Sequence, residues 1–111
     1  MKSSVAAAVA AFVFTGAANA TTTTGIVTSY AFNKSVGNVV YVLLSAPLSG
    51  RIACATDTNW SYVFPMVTDL DKKVFATIVE AHVTGHPLTI AGTATCADLP
   101  SIESGNIIII N

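Results

Sequence analysis

One segment of this sequence carries the start signal, the stop signal and the apolar period of a single helix. Thr68 is followed three residues later by Asp71, a spacing typical of a capping box with Asp in place of the usual Glu. Gly85 supplies the residue type that most often ends a helix. The pattern predicts one helix at about residues 69–84. The residues expected to face the core are Leu70, Val74, Phe75, Ile78 and Ala81.

Strand patterns lie on both sides of this helix. The predicted strands are residues 25–33, 39–45 and 51–64 before the helix, and 87–96 and 106–110 after it. Three strands, a helix and two more strands is the element order of the OB-fold. The sequence therefore predicts a mainly β fold, a small five-stranded OB-fold Greek-key barrel with its helix between strands 3 and 4. A small β-sandwich is the alternative.

The first 20 residues are interpreted as a secretory signal peptide. Lys2 gives a positive start, residues 5–14 are an unbroken apolar run, and the small residues Ala18 and Ala20 occupy the positions that signal peptidase reads. A membrane-spanning helix, the alternative, needs about 20 apolar residues. We expect cleavage after Ala20, no membrane insertion, and one OB-fold-like domain at residues 21–111 that is secreted or periplasmic.

The remaining chain has two cysteines, Cys54 and Cys96. A single structural disulfide is the expected state of such a pair in a small exported domain. It would close a loop of 96 − 54 = 42 residues, which stabilises the fold by about 4 kcal/mol in the chain-entropy model. A redox site would need a CxxC pair or an electropositive thiol, and the sequence shows neither.

The charge content is low. Once Lys2 leaves with the leader, four basic residues face six acidic residues, a formal charge of −2. Nucleic acids and anionic membranes are bound by clustered Lys and Arg, so the sequence argues against both partners. Hydrophobic residues make up 52% of the sequence. The surface is therefore expected either to be rich in Thr, Ser and Asn or to be partly covered by another subunit.

The segment from Cys54 to Cys96 also resembles a known family. A cysteine, a short polar loop and "NWSYVF" lead into the helix, which is followed by Gly85 and a strand that runs to the second cysteine. This layout resembles the OB-fold B subunits of bacterial AB-type toxins of the subtilase-cytotoxin and typhoid-toxin kind, and related short secreted proteobacterial proteins. The resemblance implies a ring of five subunits that binds cell-surface glycans. No sugar-pocket residue of that family is matched to a position in this sequence.

The loop after Cys54 is the candidate ligand site. Its polar side chains offer short hydrogen-bonding groups, and its tryptophan offers a flat apolar face. Sugars are commonly held by this combination, because hydroxyl groups take polar partners while C–H faces stack on aromatic rings. The candidate ligand-binding residues are Asp57, Thr58, Asn59, Trp60 and Tyr62. The alternative is a turn in which Trp60 packs on the barrel near the disulfide.

Two apolar segments are candidates for contacts between subunits. Val79 and Val83 lie on the shoulder of the helix, outside its main apolar face. Four consecutive isoleucines place apolar side chains on both faces of the last strand. The candidate interface residues are Val79, Val83, Ile107, Ile108, Ile109 and Ile110. The alternatives are exposed valines and an isoleucine run packed under the helix.

His82 and His86 are four residues apart, which is a metal-ligand spacing on a helix. Gly85 and Pro87 flank His86, so the helix is expected to end before it. A capping or half-buried role for His82 is therefore the preferred interpretation. We predict no metal site and no cofactor.

No catalytic motif is visible in the sequence, which contains neither GxSxG nor HExxH. Asp57, Glu80 and Glu103 can in principle pair as acid and base, but carboxylates in a domain of this size are expected to be mostly solvated. The sequence thus predicts an exported binding domain without enzymatic activity. We expect an oligomer, with a pentamer as the family form, that recognises a glycan or a cell-surface protein. The alternative is a monomeric structural or inhibitory protein that binds another protein.

Overall fold

The structure is a computed structural model that describes residues 20–111. The predicted signal peptide lies outside the described residues except for Ala20. The described chain runs through β1 (Thr22–Gly25), β2 (Val27–Phe32), β3 (Val39–Leu44), β4 (Tyr62–Pro65), α1 (Asp69–Thr84), β5 (Leu88–Gly92) and β6 (Gly105–Ile110). None of the helical structure in residues 20–111 is long and apolar enough to cross a membrane.

The six strands form two antiparallel sheets of three strands each. One sheet has the order β2–β3–β4 and the other the order β1–β5–β6. In the first sheet, Val40 lies opposite Phe32 on one side and Phe64 on the other. In the second, Ile90 lies opposite both Thr23 and Ile108. The mainly β prediction is therefore confirmed, with six strands in place of the predicted five.

The two sheets meet on two sides without closing into a barrel. On one side β1 and β2 are separated only by Ile26, whose backbone carbonyl accepts from Ser45 N at 2.8 Å. On the other side the sheets approach at a single parallel bridge between Val63 and Ser104, where Val63 N donates to Glu103 O at 3.1 Å. Because one bridge does not make a ladder, the sheets do not form a closed barrel, and the predicted five-stranded OB-fold barrel is not confirmed.

The predicted third strand also starts too early. Residues 51–61 form turns and bends, and β4 begins only at Tyr62. The physical reason is the side chain of Arg51, which donates to the carbonyl oxygens of Asp57 and Trp60 and so folds the segment back on itself. These residues form a compact loop, called the 51–61 loop below.

The helix has the predicted bounds. Thr68 Oγ1 accepts from Asp71 N at 3.1 Å, and the Asp71 carboxylate accepts from Thr68 N at 2.9 Å, which completes the capping box. The backbone N–H of Thr68, and after it that of Val67, hold the pKa of the Asp71 carboxyl below its usual value. Gly85, with φ of 73°, ends the helix and donates to Ala81 O at 2.9 Å.

The buried face of α1 is shorter than predicted. Ile78 and Ala81 are fully buried, and Val74 and Phe75 are half-buried against the core. Leu70, in contrast, is 69% exposed. Residues 67–70 are all exposed, so the helix begins outside the core and packs on it only from its second turn.

The main core lies between the helix and the two sheets. Its buried residues are Val27, Val40, Val42, Leu44, Tyr62, Phe64, Ile78, Ala81, Leu88 and Ile90. Side chains alternate between the two faces of a strand, so a second, smaller cluster forms on the other face of β3 and β4. It consists of Val39, Val63 and Ile102, with Tyr41, Trp60 and Leu99 packed against them. This second cluster is the base of the candidate site.

The predicted disulfide between Cys54 and Cys96 is present, with 6.2 Å between the two Cα atoms. It joins the 51–61 loop to the segment that follows β5. The loop is therefore fixed covalently to the rest of the domain, a finding that suits an oxidising compartment.

Candidate ligand-binding groove

An open groove of about 410 Å³ lies over the second cluster. Three segments form its walls: the turn and strand that follow β2, the 51–61 loop, and residues 99–102. Their lining residues are Asn33, Val36 and Tyr41, then Asp57 and Trp60, then Leu99, Pro100, Ser101 and Ile102. The groove is large enough for one sugar ring with its substituents.

Two aromatic rings stand side by side in this groove. Tyr41 and Trp60 are stacked, with 5.4 Å between ring centroids and 26° between ring planes. Both are half-buried and pack on the cluster of Val39, Val63 and Ile102. Each ring therefore has a fixed orientation and keeps part of its surface open to a ligand.

The loop that carries Trp60 is held from three directions. Asp57 Oδ1 accepts from Asn59 N at 2.7 Å and from Trp60 N at 3.0 Å, an Asx turn that sets the backbone direction. Arg51 donates to two carbonyl oxygens of the loop from behind. Asp57 N donates to Ser101 O at 3.0 Å and so joins the loop to the opposite wall.

One carboxylate oxygen of Asp57 remains for a ligand. The hydrogen bonds within residues 20–111 use only Oδ1 of this side chain, so Oδ2 can accept from a hydroxyl group. Thr58 and Asn59 are exposed at the tip of the same loop. None of the lining residues carries a positive charge. The groove thus offers hydrogen-bond acceptors, a negative charge and aromatic faces.

The structure brings together most of the predicted ligand residues. Asp57 and Trp60 line the groove, and Thr58 and Asn59 adjoin it. Tyr62 lies elsewhere: it is 2% exposed, and its hydroxyl group is hydrogen-bonded to Thr21 Oγ1 at 2.9 Å on the other face of the sheet. A side chain buried in the main core is not available to a ligand in the groove.

Tyr41 is a groove residue that was not predicted from the sequence. It lies between Val40 and Val42, both fully buried in the main core. The strand period of two turns Tyr41 to the opposite face, the same face as Val63. The alternation of side chains along the strand "VVYVLL" predicts that Tyr41 faces away from Val40 and Val42. Because every residue of this strand is apolar or aromatic, the sequence pattern did not show which face is buried in the main core.

Carboxylates are expected to be mostly solvated, and Glu103 is an exception, since it is 2% exposed. Its Oε1 accepts from Thr21 Oγ1 at 2.5 Å and its Oε2 from Ala94 N at 3.0 Å. The absence of a side chain at Gly92 makes room for this carboxylate. The adjoining cavity measures only about 20 Å³, the size of one water molecule, so it cannot hold a sugar.

The histidines do not form a metal site with each other. His82 Nδ1 lies 2.9 Å from Val27 O, and its ring packs edge-on against Tyr30 at 5.4 Å. His86 follows Gly85 and is exposed. Within residues 20–111, no cluster of three or more His, Cys, Asp or Glu side chains could hold a metal ion. His82 instead fixes the helix to β2.

The candidate interface residues differ in exposure. Val83 is 76% exposed, whereas Val79 is half-buried. Ile107 and Ile109 are each 51% exposed and Ile110 is 41% exposed, while Ile108 packs against the main core. β6 is an edge strand, paired only with β5. Three of the four isoleucines therefore lie on an open edge of the sheet rather than under the helix.

Comparisons of the chain with protein-family models, with characterised proteins and with solved structures find no match. Function is therefore inferred from the groove itself.

Proposed function

We propose that this protein is an exported, non-enzymatic binding domain that holds a glycan in the groove between the 51–61 loop and residues 99–102. One observation carries the proposal: the stacked Tyr41 and Trp60 rings stand in an open groove beside a carboxylate oxygen of Asp57. Both aromatic rings are oriented before any ligand arrives, which reduces the entropy lost on binding.

The chemistry of the groove favours a neutral glycan. The C–H face of a sugar ring packs on Trp60 or Tyr41, and a hydroxyl group donates to Asp57 Oδ2. A carboxylated sugar would bring a second negative charge close to Asp57, and the lining residues include no Lys or Arg to neutralise it. The proposed ligand class is thus neutral oligosaccharide ends rather than acidic ones.

The proposed fold is an opened OB arrangement. The OB-fold is a partly open five-stranded barrel, and here β1 and β2 follow each other with only Ile26 between them, so one stretch of chain contributes a strand to each sheet. The helix lies between the third and fourth strands of that scheme, and the parallel bridge of Val63 with Ser104 lies where the last strand would close it. These features support a relation to the OB-fold although the barrel is incomplete.

The test is a titration of the folded, oxidised protein with a panel of neutral and acidic oligosaccharides. We expect at least one neutral ligand to bind, and Trp60→Ala to weaken its binding at least about five-fold, since stacking on an aromatic ring contributes about 1 kcal/mol. Phe32→Ala is the matched control, because Phe32 is 56% exposed and does not line this groove. Equal binding by Trp60→Ala, or no binding of any neutral ligand, contradicts the proposal.

A protein-binding role is the second candidate, and the exposed apolar residues of α1 favour it. Leu70 in the first turn is 69% exposed, and Val67 just before the helix is 67% exposed. A monomeric protein that docks another protein through this helix would explain them. Loss of partner binding in Leu70→Ser, with glycan binding absent in the wild type, would favour this candidate.

A further inference from the structure

The first residue after the predicted cleavage position contacts the most deeply buried carboxylate. Thr21 N lies 3.4 Å from Glu103 Oε2, and Thr21 Oγ1 donates to Glu103 Oε1 at 2.5 Å. Thr21 is half-buried, whereas Ala20 before it is exposed. The peptide bond between them thus lies at the surface, with the nitrogen atom of Thr21 directed inward to Glu103.

Glu103 has no cationic partner within residues 20–111. The one ion pair in that part of the chain joins Lys72 to Asp69 at 4.0 Å on the exposed helix. Arg51 lines the same small cavity as Glu103, but its guanidinium group donates to the carbonyl oxygens of the 51–61 loop. An ionised carboxylate that is 2% exposed and has only neutral donors is costly.

We propose that removal of the leader supplies the missing charge: the new α-ammonium group of Thr21 is the internal counter-ion of Glu103. The proposal rests on the predicted cleavage after Ala20. A signal peptidase hydrolyses that amide, water adding OH to the Ala20 carbonyl carbon and H to Thr21 N. The resulting amine takes up a further proton near neutral pH, because its ordinary pKa is about 8. Cleavage thereby turns a neutral donor into a cation beside the buried carboxylate.

This ion pair also lies next to a wall of the groove. Glu103 follows Ile102 directly, and its carbonyl accepts from Val63 N at the bridge between the sheets. The pair with Thr21 therefore anchors the end of the 99–102 wall. The pair is therefore expected to stabilise the wall further in the processed chain, whether or not the groove binds a glycan.

The test compares two chains that contain every described strand, the helix and the disulfide. One begins at Thr21, and the other begins at Ala20, so that Thr21 N stays an amide and the positive charge moves one residue away. Each is made with and without Glu103→Gln, and urea unfolding is followed. We expect the Thr21 chain to have the higher urea midpoint by about 1 M. The difference disappears in the Glu103→Gln chains.

The matched control is Glu80→Gln, which removes an exposed carboxylate of α1 and leaves the difference between the two chains unchanged. A difference that persists in full in the Glu103→Gln chains, or no difference with Glu103 intact, overturns the proposal.

Two further measurements keep the test decisive where Glu103→Gln does not fold. Mass spectrometry of the full-length chain after bacterial export must show a product that begins at Thr21, and any other start overturns the proposal. The second measurement is the rate at which the α-amine is acylated near pH 7, and it compares only the two chains in which Glu103 is intact. We expect the amine of Thr21 to react at least about ten-fold more slowly than that of the Ala20 chain. Equal rates overturn the proposal.

Discussion

At the scale of single residues, the position of the Glu103 side chain depends on residue 92 being a glycine. A Cβ atom on residue 92 would lie 2.0 Å from Glu103 Oε2 and 2.3 Å from its carboxyl carbon. That space is occupied, so only glycine at this position lets the carboxylate reach Ala94 N and Thr21. Gly92 and Glu103 therefore form one packing unit between the end of β5 and the segment that precedes β6.

We predict that Gly92→Ala destabilises the domain by about 2–4 kcal/mol. The added methyl group must displace the Glu103 carboxylate, which then loses its buried donors. Urea or thermal unfolding measures the change. Thr22→Ala, an exposed position on the strand paired with β5, serves as the control and stays within about 0.5 kcal/mol. A Gly92→Ala variant as stable as that control would contradict the described position of Glu103.

Sequence patterns predicted residues whose roles depend on their near neighbours and missed those whose roles depend on distant ones. Thr68, Asp71 and Gly85 set the helix ends through contacts within a few residues, and their roles were predicted. Glu103 instead meets Thr21, which is 82 positions away in the sequence. No local pattern carries that contact, so a carboxylate expected in solvent lies in the interior.

At the scale of elements, the capping box sets where α1 begins. The first turn is exposed, so core packing contributes little there, and Asp71 accepts hydrogen bonds from the backbone N–H groups of Thr68 and Val67. These bonds hold the pKa of Asp71 below its usual value of 3.8. Because the folded pKa is depressed, the stabilisation is fully present well above pH 3.8 and is lost as the pH falls below it through the folded pKa.

We predict that Asp71→Ala lowers the free energy of unfolding by about 1 kcal/mol at neutral pH. The difference from the wild type shrinks as the pH falls below about 4, since the wild-type carboxyl is then protonated as well. Unfolding in urea across that pH range measures it. Asp69→Ala removes the same charge from the same turn without removing a cap, so its effect is smaller. Equal effects of the two variants would contradict the capping role.

A local side-chain contact also explains why the third strand was predicted to start too early. Ile52 and Ala55 are buried, as expected for strand residues, but the side chain of Arg51 donates to carbonyl oxygens six and nine residues further on. Apolar spacing reports burial and does not distinguish a strand from a tight loop packed on the core. The sequence thus identified a loop that lines the groove, while the shape of that loop follows from a side-chain contact.

At the scale of the whole molecule, one disulfide joins the groove loop to the segment that follows β5. We predict that reduction, or Cys54→Ser with Cys96→Ser, lowers the free energy of unfolding by up to about 4 kcal/mol for this 42-residue separation. Glycan binding should weaken as well, because the 51–61 loop is no longer fixed at Cys54. Urea unfolding with and without reductant measures the first effect. An unchanged midpoint on complete reduction would contradict it.

The whole molecule also leaves an apolar edge uncovered. β6 has one free side, with Ile107 and Ile109 each 51% exposed, in a chain with only 10% charged residues. Such an edge promotes pairing between chains unless another subunit covers it in a defined way. This edge is therefore the candidate surface for the oligomer that is expected from the sequence.

We predict that the oxidised chain from residue 21 forms a discrete oligomer, measured as a solution mass by size exclusion with light scattering. Ile107→Lys with Ile109→Lys should dissociate it, because two charges on the open edge cannot be buried against a second subunit. Thr22→Lys with Thr24→Lys places the same charges on β1, the other edge of the same sheet, and should leave the mass unchanged. A mass of five subunits would support the ring that the toxin resemblance implies. A monomer at high concentration would contradict the ring and favour the protein-binding candidate.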